Sequence, residues 1–165
     1  MHRRLLLVAA TVAALLAFSA PVALAAPPTH SSFHATWGLE TTDVCPSFNI
    51  SVSQDMTVAE TDFADQSGAV IRSQLQVVEQ DTFTANGKTL VGDPVRYNVT
   101  LGFDSSGNQI SAVTMGGVFQ VALPDGTVVR SAGRINVTSH PDMTFWAAPD
   151  TGHTGDIAAF CAALS

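Results

Sequence analysis

Positive charge is the scarcest thing in this chain. Seven Lys and Arg stand against fourteen Asp and Glu in 165 residues, a formal net charge of -7, and two of the seven are Arg3 and Arg4. An acidic surface repels phosphate backbones and anionic headgroups, so neither nucleic acid nor a membrane surface is an expected partner. Catalytic signatures are scarce too. No serine sits in a Gly-x-Ser-x-Gly elbow and no cofactor motif occurs, so no cofactor is expected. The one long apolar run, Leu5 to Phe18, falls short of the ~20 residues of a membrane span and is followed by Pro21. Cysteine is limited to Cys45 and Cys161, and tyrosine to Tyr97.

What the first residues do contain is an export pattern. His2, Arg3 and Arg4 form a positive leader, the apolar run follows, and Ala23-Leu24-Ala25 places small residues where a signal peptidase reads them. Residues 1–25 therefore read as a signal peptide, and the mature chain as secreted and extracellular. The residues around Arg3-Arg4 do not otherwise fit twin-arginine export. No cysteine follows the cleavage point, which leaves a lipid no attachment site and predicts no membrane anchoring. Removing Arg3 and Arg4 takes the net charge from -7 to -9. About 140 residues remain, enough for one domain with a core. In an oxidising compartment the two cysteines are expected to pair, closing nearly the whole domain. The chain-entropy model gives such a loop on the order of 4 to 5 kcal/mol as an upper figure.

The clearest local pattern is Val118 to Thr138. Pro124, Asp125 and Gly126 suit a type I turn followed by a left-handed residue, a three-residue hairpin loop with a G1 bulge. With Leu123 opposite Thr127, Phe119, Val121, Leu123, Val129, Ile135 and Val137 share a dry face, while Gln120, Arg130, Arg134 and Asn136 face water. Period-two alternation recurs from Phe48 to Val58, less regularly from Val70 to Phe83, and cleanly from Val95 to Phe103. Asn86-Gly87 marks a tight hairpin, Pro94 is unfit for a central ladder position, and Gly116-Gly117 predicts a bulge or bend where a strand shifts parity. Ile157, Phe160, Cys161 and Leu164 have the spacing of one helical face, with Thr154 or Asp156 as its cap.

These elements predict an all-β fold. It is an antiparallel meander of roughly six to eight strands, closed or nearly closed into a barrel, with a short C-terminal helix; a two-sheet sandwich is the alternative. Residues 26–44, rich in Pro, Ser, Thr and His, are expected as a flexible arm with at most a short strand around Phe33 to Leu39. Residues 45–165 then form a single barrel-like domain.

The segments Cys45-Pro46-Ser47-Phe48, Asp81 to Leu90, Leu123 to Thr127, Ser131-Ala132-Gly133-Arg134 and Phe160 to Leu164 together resemble a family of small secreted actinobacterial β-rich proteins with a terminal cysteine pair. The resemblance covers most of the mature chain and rests mainly on turns. It implies the export signal, the cysteine pair and a β-rich domain, and it lends no activity.

Candidate chemistry comes from polar residues on apolar faces, because a buried carboxyl must be paired, hydrogen-bonded or protonated. Glu79 shares the parity of Leu75 and Val77, as does Asp81, and Tyr97 shares that of Val95, Val99 and Leu101. Glu79 and Tyr97 are therefore the candidate ligand-binding residues, with Glu79 expected near the barrel mouth and Tyr97 deeper. A hollow barrel would turn them toward a ligand, and a filled one would make Tyr97 core. His30 with His34, and His140, Asp142, Asp150 and His153, lack a fixed metal-ligand geometry, so no metal site is assigned. Arg72, Arg96, Arg130 and Arg134 lie on polar faces, as solvated charges or as an anion-reading stripe if their strands are neighbours. Two functional readings stand: a secreted non-catalytic protein binding a small apolar molecule or a surface partner, and a cofactor-free barrel isomerase or cyclase with Glu79 and Tyr97 as acid/base and hydroxyl donor.

Overall fold

A computed structural model describes residues 26–139 and 150–165. The signal peptide expected at residues 1–25, and His140 and Asp142, lie outside the described residues. Eight strands follow in chain order: β1 (Thr29–Cys45), β2 (Phe48–Ala64), β3 (Val70–Ala85), β4 (Lys88–Val91), β5 (Val95–Phe103), β6 (Gln109–Ala122), β7 (Val128–Asn136) and β8 (Thr151–His153). One α-helix among the described residues, α1 (Ile157–Leu164), follows β8, and Asp156 caps it by accepting from the Ala159 amide at 2.9 Å.

All strands belong to one antiparallel sheet in the order β1-β2-β3-β5-β6-β7-β8, with β4 beside β3. The first half of β3 pairs with β5 and the second half with β4, so β4 and β5 succeed one another along the same edge of β3. The break between them is the segment holding Pro94, which has no amide hydrogen to give to a ladder. Gly92 there bridges to Val121, and the Asp93 amide donates to the Gln120 carbonyl at 2.8 Å, which carries the sheet across to β6.

The turns form as their residues require. Asn86 and Gly87 both take positive φ (51° and 76°), the requirement of a type I′ hairpin. Leu123 donates to the Thr127 carbonyl at 2.7 Å and Gly126 (φ 86°) to that of Leu123 at 2.9 Å, closing the β6–β7 loop. The register of β6 on β7 shifts between Gly117 and Phe119, where the glycine pair predicts a parity change. Asn86 also reaches back: its side-chain amide donates to the Leu164 carbonyl at 2.9 Å, so the β3–β4 turn caps the end of α1.

Two expectations differ from the fold. Most of residues 26–44, read as a flexible arm with at most a short strand around Phe33 to Leu39, belongs to β1, which pairs along β2 from Thr29 to Thr41 in unbroken register. Their composition is polar, but the alternation Phe33, Ala35, Trp37, Leu39 lies opposite Val58, Met56, Gln54 and Val52, and the long β2 offers the ladder. The sheet is also not closed into a barrel: β1 and β8 are its two ends. The curled sheet is filled at one end by α1, which contacts β1, β4 and β7. There Phe83, Phe119 and Phe160 meet edge to face, with centroids 5.2 to 6.5 Å apart. Ile50, Val52, Val121, Val129 and Leu164 complete this core. Cys45 and Cys161 form a disulfide, Cα atoms 5.6 Å apart, that fastens the helix to the end of β1.

Candidate functional site

Residues directly opposite one another in an antiparallel pair share a face, so the register places the polar residues of the core side in three adjacent rows. Trp37, Gln54 and Asp81 form one row across β1, β2 and β3. Ala35, Met56, Glu79 and Val95 form the next, and Phe33, Val58, Val77, Tyr97 and Gly116 the third. The first row borders the aromatic core; the third leads away from it toward the open end of the sheet.

The structure brings Glu79 and Tyr97 together. Both oxygens of Glu79 are engaged: Gln54 Nε2 donates to Oε1 at 2.5 Å, and the Tyr97 hydroxyl donates to Oε2. Asp81, two residues along the same face of β3, completes the cluster. Glu79 and Asp81 are each 2% exposed, whereas Tyr97 and Gln54 are half-buried. The expected depth order is thus reversed, with the carboxyl on the floor and the tyrosine toward solvent. The reason is length: a Tyr side chain carries its hydroxyl well beyond the reach of its own strand, so the ring stands half-exposed while its oxygen reaches down to β3.

The electrostatics follow from this packing. Burial, and then the neighbouring Glu79 carboxyl, push the Asp81 carboxyl up to about 8, so near neutral pH it keeps its proton. Burial and the Glu79 contact likewise hold the Tyr97 hydroxyl well above its ordinary range, as a donor at every physiological pH. Asp81 Oδ1 is buried with no hydrogen-bond partner. An unmet buried acceptor costs about 1 to 3 kcal/mol, and such sites persist where a function or a bound group uses them.

Gln54 and Asp81 are the members that sequence reasoning did not single out. Their sign was present as polar residues at apolar parity, Asp81 beside Glu79 and Gln54 between Val52 and Met56. Neither of two surface depressions contains the cluster. One of about 280 Å³ is lined partly by Gln74, Gln76, Asn98 and Thr100, which face away from Glu79, and one of about 400 Å³ lies between the Pro124 turn and α1.

The remaining candidates stay apart. His30 shares a hydrogen bond with Thr61 at 3.0 Å, and His34 lies 3.3 Å from Asp55. Among the described residues no three His, Cys, Asp or Glu side chains converge as a metal site would need. Arg72 lies over the Phe63 ring at 4.1 Å, and Arg134 is 3.9 Å from Asp150. Arg72 is opposite Gly102 and Arg96 opposite Val78, toward the two ends of the β3–β5 pairing, and Arg130 of β7 is opposite Gln120 of β6, so the four do not form one stripe. No helix among the described residues is long and apolar enough to cross a membrane. Comparison of the chain with protein-family models, curated proteins and solved structures finds no match.

Proposed function

We propose that this is a secreted, non-catalytic protein that binds a small apolar molecule in the trough of its curled sheet, with Tyr97, Glu79, Asp81 and Gln54 as the polar anchor. The observation that carries this reading is the unmet Asp81 Oδ1 on the floor of an apolar face whose walls stay partly open: Trp37 is 65% and Phe33 47% exposed, and Met56, Tyr97 and Val99 are half-buried. Small-molecule sites are mainly apolar with a few placed polar groups, and this face has that composition. A ligand with one hydrogen-bond donor would meet the orphan acceptor while its apolar body covers the aromatic walls.

A second reading has an observation of its own. A carboxyl that keeps its proton near neutral pH, set beside another carboxyl and a tyrosine hydroxyl, is suited to acid/base work of the isomerase or cyclase kind.

The test is extraction of the purified protein with organic solvent and mass spectrometry of the extract, alongside titration with N-phenyl-1-naphthylamine, an apolar fluorophore with one N–H donor. Asp81→Ala and Tyr97→Phe are expected to weaken fluorophore binding about tenfold, the loss of roughly one good hydrogen bond. Unchanged affinity in both variants, with an empty extract, would refute the proposal.

A further inference from the structure

The two ends of the sheet are guarded very differently. β8 is three residues long, a length that offers little to another strand. β1 is seventeen residues long and its outer edge has no strand partner among the described residues. Edge strands of soluble proteins ordinarily carry lysines, prolines or bulges that discourage pairing. From Thr29 to Leu39 this one has no Lys, Arg, Asp, Glu or Pro, and its register on β2 is unbroken to Thr41.

We propose that two copies of this chain pair through the outer edges of β1, antiparallel and centred on Ala35, to make one continuous sheet of both copies. The regular stretch Thr29–Thr41 is itself symmetric about Ala35, so a two-fold axis there uses all thirteen residues of each edge. In an antiparallel pair related by a two-fold axis, opposed residue numbers sum to twice the central one. On the core face this register sets Phe33 opposite the partner's Trp37, and Trp37 opposite the partner's Phe33. Both are large, exposed and otherwise uncovered, and cross-strand aromatic pairs are among the stabilising ones. On the other face it sets Glu40 opposite the partner's His30, an acid against a base, and the reverse by symmetry.

Neighbouring registers do less. Centring on His34 sets that imidazole against its own copy and Trp37 against Ser31. Centring on Thr36 sets Glu40 against Ser32 and parts the two aromatics. The seam between Thr29 and Leu39 has no formal charge, so two acidic molecules meet where like-charge contact is least. At the roughly 30–40 Å² per residue of ordinary interfaces, thirteen residues a side bury on the order of 900 Å² in total, below the ~1,200 Å² of stable specific interfaces and in the range of weak, transient association. The dimer is therefore expected to be reversible and concentration-dependent.

Sedimentation equilibrium of the purified protein between about 1 and 100 μM is expected to give twice the chain mass at the upper end. The double variant H34K/T36K places lysine opposite lysine on both sides of the axis, on an exposed face, and is expected to stay monomeric with unchanged circular dichroism. Single-cysteine variants read the register without relying on that loss. In A35C the new thiol faces its own copy at a Cα separation of about 4.5 to 5.5 Å, within disulfide reach, and oxidation is expected to give a covalent dimer. In S32C the thiol faces Gly38 and is expected not to cross-link. A monomer at 100 μM, a dimer that survives H34K/T36K, or equal cross-linking of S32C and A35C would each overturn the proposal.

Discussion

Asp81 shows how far a residue's chemistry depends on its place in the sheet. Free in water an aspartate ionises near pH 4; burial beside Glu79 moves this one to about 8. Between those values the unfolded chain gives up a proton that the folded chain keeps. The folded state then binds more protons, so this group's contribution makes stability fall as pH rises from about 4 to about 8 and level off above. Asp81→Asn keeps the shape and removes the titration. Its melting temperature relative to wild type is expected to climb between pH 4.5 and 8, and thermal melts at both pH values check this. A difference that stays constant with pH would contradict the ionisation assigned to Asp81. Parity alone made Glu79, Asp81 and Tyr97 legible as polar groups on a dry face. Their contact was not legible, because it depends on which strand lies beside β3, and β4 intervenes in the chain between β3 and β5.

Among the elements, the sharpest local requirement is at the bend of β6. Gly116 has φ 137°, and a Cβ there would lie 2.7 Å from both the Arg96 carbonyl oxygen and the Tyr97 Cα, backbone atoms of β5. Gly133 and Gly152, its successive row partners on β7 and β8, also have positive φ (154° and 143°), so three neighbouring strands carry a positive-φ glycine in one row. The β6–β7 loop offers a contrast, since a Cβ on Gly126 meets nothing within 4 Å. Gly126→Ala is therefore expected to cost only the backbone penalty of a left-handed residue, about 1 to 2 kcal/mol. Gly116→Ala must in addition separate β5 from β6, and its loss in urea unfolding is expected to be at least about twice as large. Equal losses would mean that the close approach of β5 and β6 is relaxed at little cost. The hairpin, the Asn86-Gly87 turn, the parity shift and the terminal helix were legible because each is specified within a few residues. β1 was not, because its polar residues become a strand only against β2, which reaches back to Thr29 by its full length.

At the scale of the whole molecule, the approximate strand number and the antiparallel class were legible, and strand order and closure were not. Turn spacing reports how many strands there are; whether the last one returns to the first depends on curvature summed over the sheet and on what fills it, here α1 with its three-ring core. The Cys45–Cys161 disulfide adds a mechanical consequence. A load applied to the two ends of the chain enters at β1 and at the end of α1 and is carried across by the covalent bridge, so residues 46–160 bear none of it. Only the part of β1 before Cys45 lies in that load path, and the pull runs along the strand rather than across its hydrogen bonds to β2. Because β1 is already extended, at ~3.3 Å per residue against ~3.6 Å for a taut chain, pulling the oxidised protein in optical tweezers is expected to release only on the order of 5 Å between Thr29 and Val44. After reduction the stretch between the cysteines, 116 residues in sequence separation, comes under tension and the extension grows several-fold. Equal extension with and without reductant would show that the bridge does not carry the load. β1 is thus the part of the molecule that carries tension, and the interior enclosed by the bridge is shielded from it.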